Sequence, residues 1–512
     1  MSLESDGAAT AKRPRLPAED PSIHFGAAVE AADRISALPE AMQLHILSLL
    51  PLPSAIRTGA LSRAWRDLWK RRWQDDGNAG AFLHHHIRPC SSPSSKKLLE
   101  CLELRQSQGR RGRLDRYSLV ADNPAMGARQ FGRYLDAAAR FGVEDLRVEL
   151  PEKPPSPATP TKATTLRFPF PAAAGPDLAR LSLRGIGVSG LHSRAARPCS
   201  ALEVVRLHSV PVDDRGLARM LALCPRLRVL GLHSCSALRR IAVTAATGRK
   251  LRSVTIAGCG WLIEVDVAAV SSLRSFRYTG GFLSSFYLPD SASFADLYIC
   301  FDAQRSCNVR ICQKVFSHWF ESRVCWKLTA LTICSNVLFV VSSLPNGISH
   351  AESAKIGGDF FRSMTELQLL MLDMKAPELA NIYVFLKNSH CCNLERLFVQ
   401  LPSIPSGPLV DASDHVRVEP PEDVLENLKV VKITNFNWNR IELQLVCFLL
   451  RKASSLHKLL LVTPSLVPLD VTGIQKADLL LVGEAVANGK IILSKLDDAA
   501  TQPFHSDVFA EV

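Results

Sequence analysis

The sequence predicts an α/β fold, a solenoid of stacked strand-bearing repeats behind a small three-helix unit. Three observations predict it. A template of apolar residue, two residues of any kind, apolar, one of any kind, apolar recurs thirteen times between Leu114 and Leu461. From Leu178 to Leu273 its steps are 24, 25, 24 and 22 residues, inside the spacing of about 20–29 residues at which one strand per repeat stacks into a horseshoe. Ahead of the repeats, apolar residues between Leu38 and Trp69 fall at helical spacing around Pro39 and Pro51.

The 512 residues are 47% apolar and 21% charged. That is a globular composition, long enough to bury a large core without disulfide staples. Fourteen cysteines follow no framework, and no secretory signal opens the sequence, so free and mostly buried thiols in a reducing compartment are expected. The stretch Leu328 to Leu344 is uncharged but holds six Ser, Thr and Asn residues and is short for a bilayer, so no membrane partner is expected.

Residues 1–32 are rich in Ala, Pro, Ser and charge and read as a disordered tail. Within it, Lys12, Arg13 and Arg15 form a candidate nuclear-import cluster; a merely solvated tail accounts for them equally. Localisation in the nucleus, the cytoplasm or both follows from that choice.

The first ordered block spans 33–73. Pro39 suits a first helical turn and Ser36 a cap just before it. Met42, Ile46, Leu49 and Leu50 then form an apolar stripe that Pro51 ends. A short helix from Ser54 to Leu61 follows. Leu61, Trp65, Leu68 and Trp69 form a second stripe on a third helix. Three short helices make a marginal core, so part of this apolar surface is expected to meet a partner.

This block, DRISALPEAMQLHILSLLPLPSAIRTGALSRAWRDLWKRRW, resembles an F-box of the plant type through Asp33-Arg34-Ile35-Ser36, Leu38-Pro39, Leu50-Pro51, Leu61-Ser62-Arg63, Trp65-Arg66 and Leu68-Trp69. It departs from the family at Glu40-Ala41, where two acidic residues are usual, and at Gly59 inside the second helix. The resemblance implies docking on a Skp-type adaptor and, through it, on a cullin. Leu38, Pro39, Ile46, Leu49, Leu50, Pro51, Leu61, Trp65 and Trp69 would be the docking and core set.

A linker over 74–110 precedes a solenoid over 111–420. Each unit contributes a strand whose alternate side chains point inward, and stacking turns these into one core. Leu217, Met220 and Leu221 mark a short amphipathic helix between two strands, stopped at Cys224-Pro225. The segment LARMLALCPRLRVLGLHSC resembles the unit of plant F-box proteins with leucine-rich repeats. Residues 421–490 read as terminal repeats; Leu428 to Val462 resembles the FBD segment that caps such arrays, except that Asn437-Trp438-Asn439 replaces the usual small residue after the first strand. Residues 491–512 read as a patternless tail.

No constellation for catalysis is found. His84-His85-His86 reads as solvated linker, because adjacent residues rarely converge on one metal. Cys300, Cys307, Cys312 and Cys391-Cys392 lack zinc-site spacing and read as buried structural thiols. No phosphate loop, nucleophile elbow or metal-binding helix motif is present. No catalytic residue, metal or cofactor is therefore expected. Two basic stretches, Arg57 to Arg72 and Arg105 to Arg116, read as solvated surface; no aromatic platform is interleaved, as single-strand binding would need.

The F-box resemblance implies a non-catalytic substrate receptor of an SCF-type ubiquitin ligase, which would bind an unknown protein on outward strand residues such as Arg206, His208, His233 and Thr255. Two alternatives stay open: an interaction scaffold whose F-box does not engage the adaptor and, behind it, a nuclear nucleic-acid-binding protein.

Overall fold

The computed structural model describes residues 38–49, 58, 65, 68, 81–87, 114–121, 128–150, 166–193, 196–291, 293–301, 327–342, 361–389, 391–403, 419–421, 425–464, 475–498 and 501–506. Helix α1 (Glu40–Leu49) opens the described chain, its first turn closed by the Pro39 carbonyl accepting from Met42 N at 2.9 Å. It leads to β1 (Ala81–Ile87), β2 (Leu114–Ala121), α2 (Ala128–Arg140) and β3 (Asp145–Glu149). The middle of the chain holds β4 (Arg167–Pro169), β5 (Arg180–Arg184), β6 (Gly187–Ser189), β7 (Val204–His208), α3 (Asp214–Leu223), β8 (Val229–His233), β9 (Arg240–Ala242), β10 (Ser253–Ala257), β11 (Glu264–Asp266), β12 (Ser275–Gly280), β13 (Ser285–Tyr287) and β14 (Asp296–Phe301). The last third holds β15 (Ala330–Cys334), α4 (Ser335–Ser342), β16 (Glu366–Leu370), α5 (Ala376–Ser389), β17 (Arg396–Gln400), β18 (Val430–Thr434), α6 (Arg440–Lys452), β19 (Lys458–Val462), α7 (Lys476–Ala487) and β20 (Ile491–Ser494).

Fifteen of these strands form one parallel sheet, ordered β1-β2-β3-β5-β7-β8-β10-β12-β14-β15-β16-β17-β18-β19-β20. Short strands pair as β13-β11-β9 and β4-β6. The ladder register aligns the apolar template from strand to strand: Leu181 pairs with Val205, Val205 with Leu230, and Leu230 with Val254. The second and third template positions are buried in all thirteen repeats. They build one continuous core from Tyr117 to Ile491. A one-residue slip would turn every one of these side chains outward, so burial of the inner face enforces the register.

The chain leaves four of the middle strands in the same way. Gly185 (φ 66°), Ser209 (φ 52°), Ser234 (φ 52°) and Gly258 (φ 61°) follow β5, β7, β8 and β10 in the left-handed region. Each donates its N–H to the next strand's last carbonyls, as in Gly185 N to His208 O at 2.8 Å and Ser209 N to His233 O at 2.8 Å. At Gly185 a Cβ would lie 2.4 Å from the Leu150 carbonyl oxygen, so this position requires glycine.

Three expectations are corrected. The 74–110 linker contains β1, parallel to β2, so the sheet begins earlier than 111; His84, His85 and His86 lie in that strand rather than in a linker. The 491–512 tail is not patternless: Ile491–Ser494 is the last strand, paired with β19, and residues 501–506 pack across the sheet. On α1 the buried face is Gln43 and Leu47, facing Trp65 and Leu68, while Met42 is 53% exposed; the stripe through Met42 is therefore not the core stripe. The apolar stretch at 328 resolves into β15 and the eight-residue α4. Among the described residues no helix is long and apolar enough to cross a membrane.

The loop at Asn437-Trp438-Asn439 folds around one carboxyl group. Asn435 (φ 60°) and Trp438 (φ 63°) adopt left-handed conformations. Asn439 caps α6, its Oδ1 accepting from Glu442 N at 2.8 Å. Glu442 reaches back to accept from Asn437 N at 2.7 Å and from Asn439 Nδ2 at 2.6 Å. This is a reciprocal cap, with Trp438 packed against Phe436 at 5.1 Å. Burial pushes the Glu442 carboxyl up to about 7 despite these donors. A raised carboxyl contributes most stability when protonated and loses it as pH rises through about 7. Glu442→Gln, a fixed mimic of the neutral acid, should therefore gain on the wild type as pH rises from acidic to mildly alkaline, by up to about 3 kcal/mol. Thermal melts of both proteins across that range check this; a gap that narrows with rising pH contradicts it.

Candidate functional site

Strand residues between the inward template positions face outward, and the in-register ladder lines them up across the sheet. In a one-strand-per-repeat horseshoe this face is the concave one. Its two halves differ in chemistry.

The half from β2 to β8 is charged. A groove of about 680 Å³ is lined by Arg116, Arg147, Arg180, Arg184 and Arg206, with Asp145 and Glu149 among them. Arg116 Nε meets Asp145 Oδ2 at 2.7 Å, and Arg184 Nη1 lies 3.5 Å from Glu149 Oε1. Arg147 and Arg180 are exposed. Gly231 lies beside Arg206, and a Cβ there would approach the Arg206 side chain to 3.3 Å. At the groove's end His208 and His233 stack face to face, with centroids 4.3 Å apart at 12°. Their Nδ1 atoms lie 3.1 Å from the hydroxyls of Ser209 and Ser234, which the left-handed turns place there.

The half from β14 to β19 is occupied by the chain's own C-terminal residues, which run against strand order. Lys458 of β19 pairs with Asp498 at 3.3 Å, and Lys432 of β18 with Asp497. Lys432 Nζ also donates to the Thr501 carbonyl at 2.6 Å. Arg396 of β17 donates to the Gln502 carbonyl at 2.8 Å, and Glu366 of β16 accepts from Phe504 N. His505 ends the crossing, with Nδ1 2.8 Å from Thr332 Oγ1 on β15 and Nε2 3.1 Å from Asp296 Oδ1 on β14. Five strand steps, from β19 to β14, span about 24 Å. The cover is close: Thr332 is 1% exposed and Lys432 2%. No periodicity could announce this segment, because its partners are charges 40 to 209 residues away.

Of the outward residues singled out from sequence, Arg206, His208 and His233 are half-buried on the charged half, whereas Thr255 is buried. Of the adaptor set, Trp65 is buried against Leu47 and Leu68, with Ile46 packed on that cluster. It belongs to the unit's own core, one of the two roles expected of the set. Leu38 is half-buried and Pro39 exposed. Leu49 closes α1; Leu50, Pro51, Leu61 and Trp69 lie outside the described residues, as do Lys12, Arg13 and Arg15. The nine described cysteines are free thiols. Cys391 is buried, its thiol pushed up to about 12 by burial, while Cys392 is exposed rather than buried as expected. Among the described residues no group of three or more His, Cys, Asp or Glu could hold a metal.

Comparison with known families finds two matches. Residues 113–468 match the At1g61320/AtMIF1 LRR domain, and residues 35–74 match the F-box domain. Among curated Arabidopsis thaliana proteins, F-box protein At1g80960 is 25% identical over 250 residues, 48% of this chain and 49% of its own length. F-box/LRR-repeat protein At3g26922 is 58% identical over 38 residues, 7% of this chain and 12% of its own length. F-box/FBD/LRR-repeat protein At3g26920 is 49% identical over 45 residues, 9% of this chain and 10% of its own length. The chain thus spans about half of the first relative and about a tenth of the other two.

The tail's grip on the sheet centres on Lys432. Lys432→Ala removes its ion pair and leaves the Thr501 carbonyl without that donor. It should cost about 1–3 kcal/mol and make residues 496–506 the first segment to exchange amide protons and to be cut by protease. Unchanged protection of those residues in hydrogen exchange would show that the tail does not depend on this contact.

Proposed function

The chain belongs to the leucine-rich-repeat family of the At1g61320/AtMIF1 type and carries an F-box at residues 35–74, and from that premise we propose that it is the substrate-recognition subunit of an SCF-type ubiquitin ligase. F-box and leucine-rich-repeat architecture is typical of non-catalytic adaptors, and an F-box implies a Skp-type partner. On this reading the adaptor links the chain to a cullin, and the solenoid holds a protein target. The contribution is proximity: a held target meets the conjugating enzyme at high effective concentration, with no bond made or broken by this chain. Residence in the nucleus, the cytoplasm or both belongs to the same proposal and rests on Lys12, Arg13 and Arg15.

The observation that carries the reading is the shape of α1. Its described inner cluster is only Leu47, Trp65 and Leu68, with Leu44 and Ile46 at its edge. Pro39 and Met42, three residues apart and so adjacent on the helix surface, are both exposed, Met42 by 53%. A helical unit with so small an apolar interior of its own fits a unit completed by a partner.

Met42→Asp places a charge on that outer face without touching the inner cluster. It should weaken capture of a Skp-type adaptor about tenfold or more, with the melting of the repeat domain unchanged. Trp65→Ala, which hollows the inner cluster, should abolish capture by unfolding the unit. Adaptor and cullin capture by Met42→Asp at wild-type strength would leave the scaffold reading in its place.

A further inference from the structure

We infer that the arginine-lined stretch of the sheet face between β3 and β7 is the binding site for an extended acidic segment of another protein. The inference rests on the reading of the chain as a substrate receptor and names the chemistry of what it receives. Five arginines line this groove with two carboxylates, Asp145 and Glu149, which pair with Arg116 and Arg184. Arg147 and Arg180 are exposed, so their charge is presented to solvent at the mouth of a concave surface that focuses its field.

The other half of the same face shows what it accepts. There the chain's own residues 497–498 and 501–505, with turns at Thr501 and at Pro503–Ser506, make contacts on strand after strand. Their carboxylates, Asp497 and Asp498, sit on Lys432 and Lys458, and their backbone carbonyls accept from Arg396 and Lys432. The backbone N–H at Phe504 is taken by a carboxylate, Glu366. The charged half carries the same kinds of group, with cations for carboxylates and carbonyls and the interleaved carboxylates Asp145 and Glu149 for backbone N–H groups. Arg147 and Arg180 stand on the neighbouring strands β3 and β5, offset by two residues in register. Acidic side chains on alternate residues of an extended segment, about 7 Å apart, would meet both.

A nucleic acid fits less well. Among the described residues the groove lining contains no Phe, Tyr or Trp to stack bases, and its two carboxylates oppose a phosphate backbone that has few donors to offer them.

The test uses the full chain, a fluorescently labelled Asp/Glu-rich peptide, a Lys-rich peptide of equal length and a poly-uridine oligonucleotide. The acidic peptide should bind, the Lys-rich one should not, and binding should weaken as salt rises. The double variant R147E/R180E, altered only at exposed positions, should lose at least about tenfold in affinity. Equal peptide binding by the variant, no binding by the wild type, or tighter binding of the oligonucleotide through the same arginines would each overturn the inference. Adaptor capture is measured on the same samples. R147E/R180E should capture it at full strength, and failure of capture by the wild type would strike the ligase reading while leaving the groove's ligand class standing.

Discussion

The parallel ladder running in one register from β2 to β20 is the constraint on which everything else in the molecule depends. Each repeat contributes a strand of about five residues and a row of three inward side chains, too little to form a core by itself. Hydrogen bonding of strand to strand converts thirteen such rows into one apolar interior, with Leu183, Leu207, Leu232, Ile256 and Tyr278 stacked behind one another. The same register fixes the outward residues. Arg147, Ser182 and Arg206 stand in one line because Leu146, Leu181 and Val205 do. Site geometry here is a by-product of core geometry, and a change that disturbs the inner rows moves the outer ones with it.

That face is divided rather than uniform. Towards its start it is cationic, with Arg147 and Arg180 exposed; towards its end the outward residues Thr332, Gln368, Phe398 and Lys432 are as buried as many core side chains. Gln368 and Thr332 would be costly to bury without partners, and the bond between them at 3.0 Å, together with His505, satisfies them. Ser275 does the same for Asp296, at 2.6 Å. The polar character of these positions is explained by the segment that lies on them, not by an external ligand.

The ladder itself was legible in the sequence. Each of the thirteen template copies marks a strand, because alternation with burial on one face is a local signal. What was missed has a common cause. β20 is four residues long and lies behind a helix, so it offers less than one template. The crossing segment makes its bonds to groups distant in sequence, such as Glu366 and Asp296, and no local spacing encodes such pairs. On α1 the error lay in phase. Met42 and Leu47 are both apolar, and only the position of Trp65 and Leu68 decides which of them is inside. The three exposed arginines of the groove, Arg147, Arg180 and Arg184, were visible as residues, but their convergence needed the register.

The crossing of residues 497–505 over six strands also bears on the order in which the protein can be made. A ribosome delivers these residues after every strand they touch. Their contacts with β19, β18, β17, β16, β15 and β14 exist together only when those six are stacked without a gap. Docking of the segment is thus a report on completed assembly: a chain with one misplaced strand in that region lacks part of the track and leaves Asp497, Asp498 and His505 in water, where quality-control proteases read loose ends.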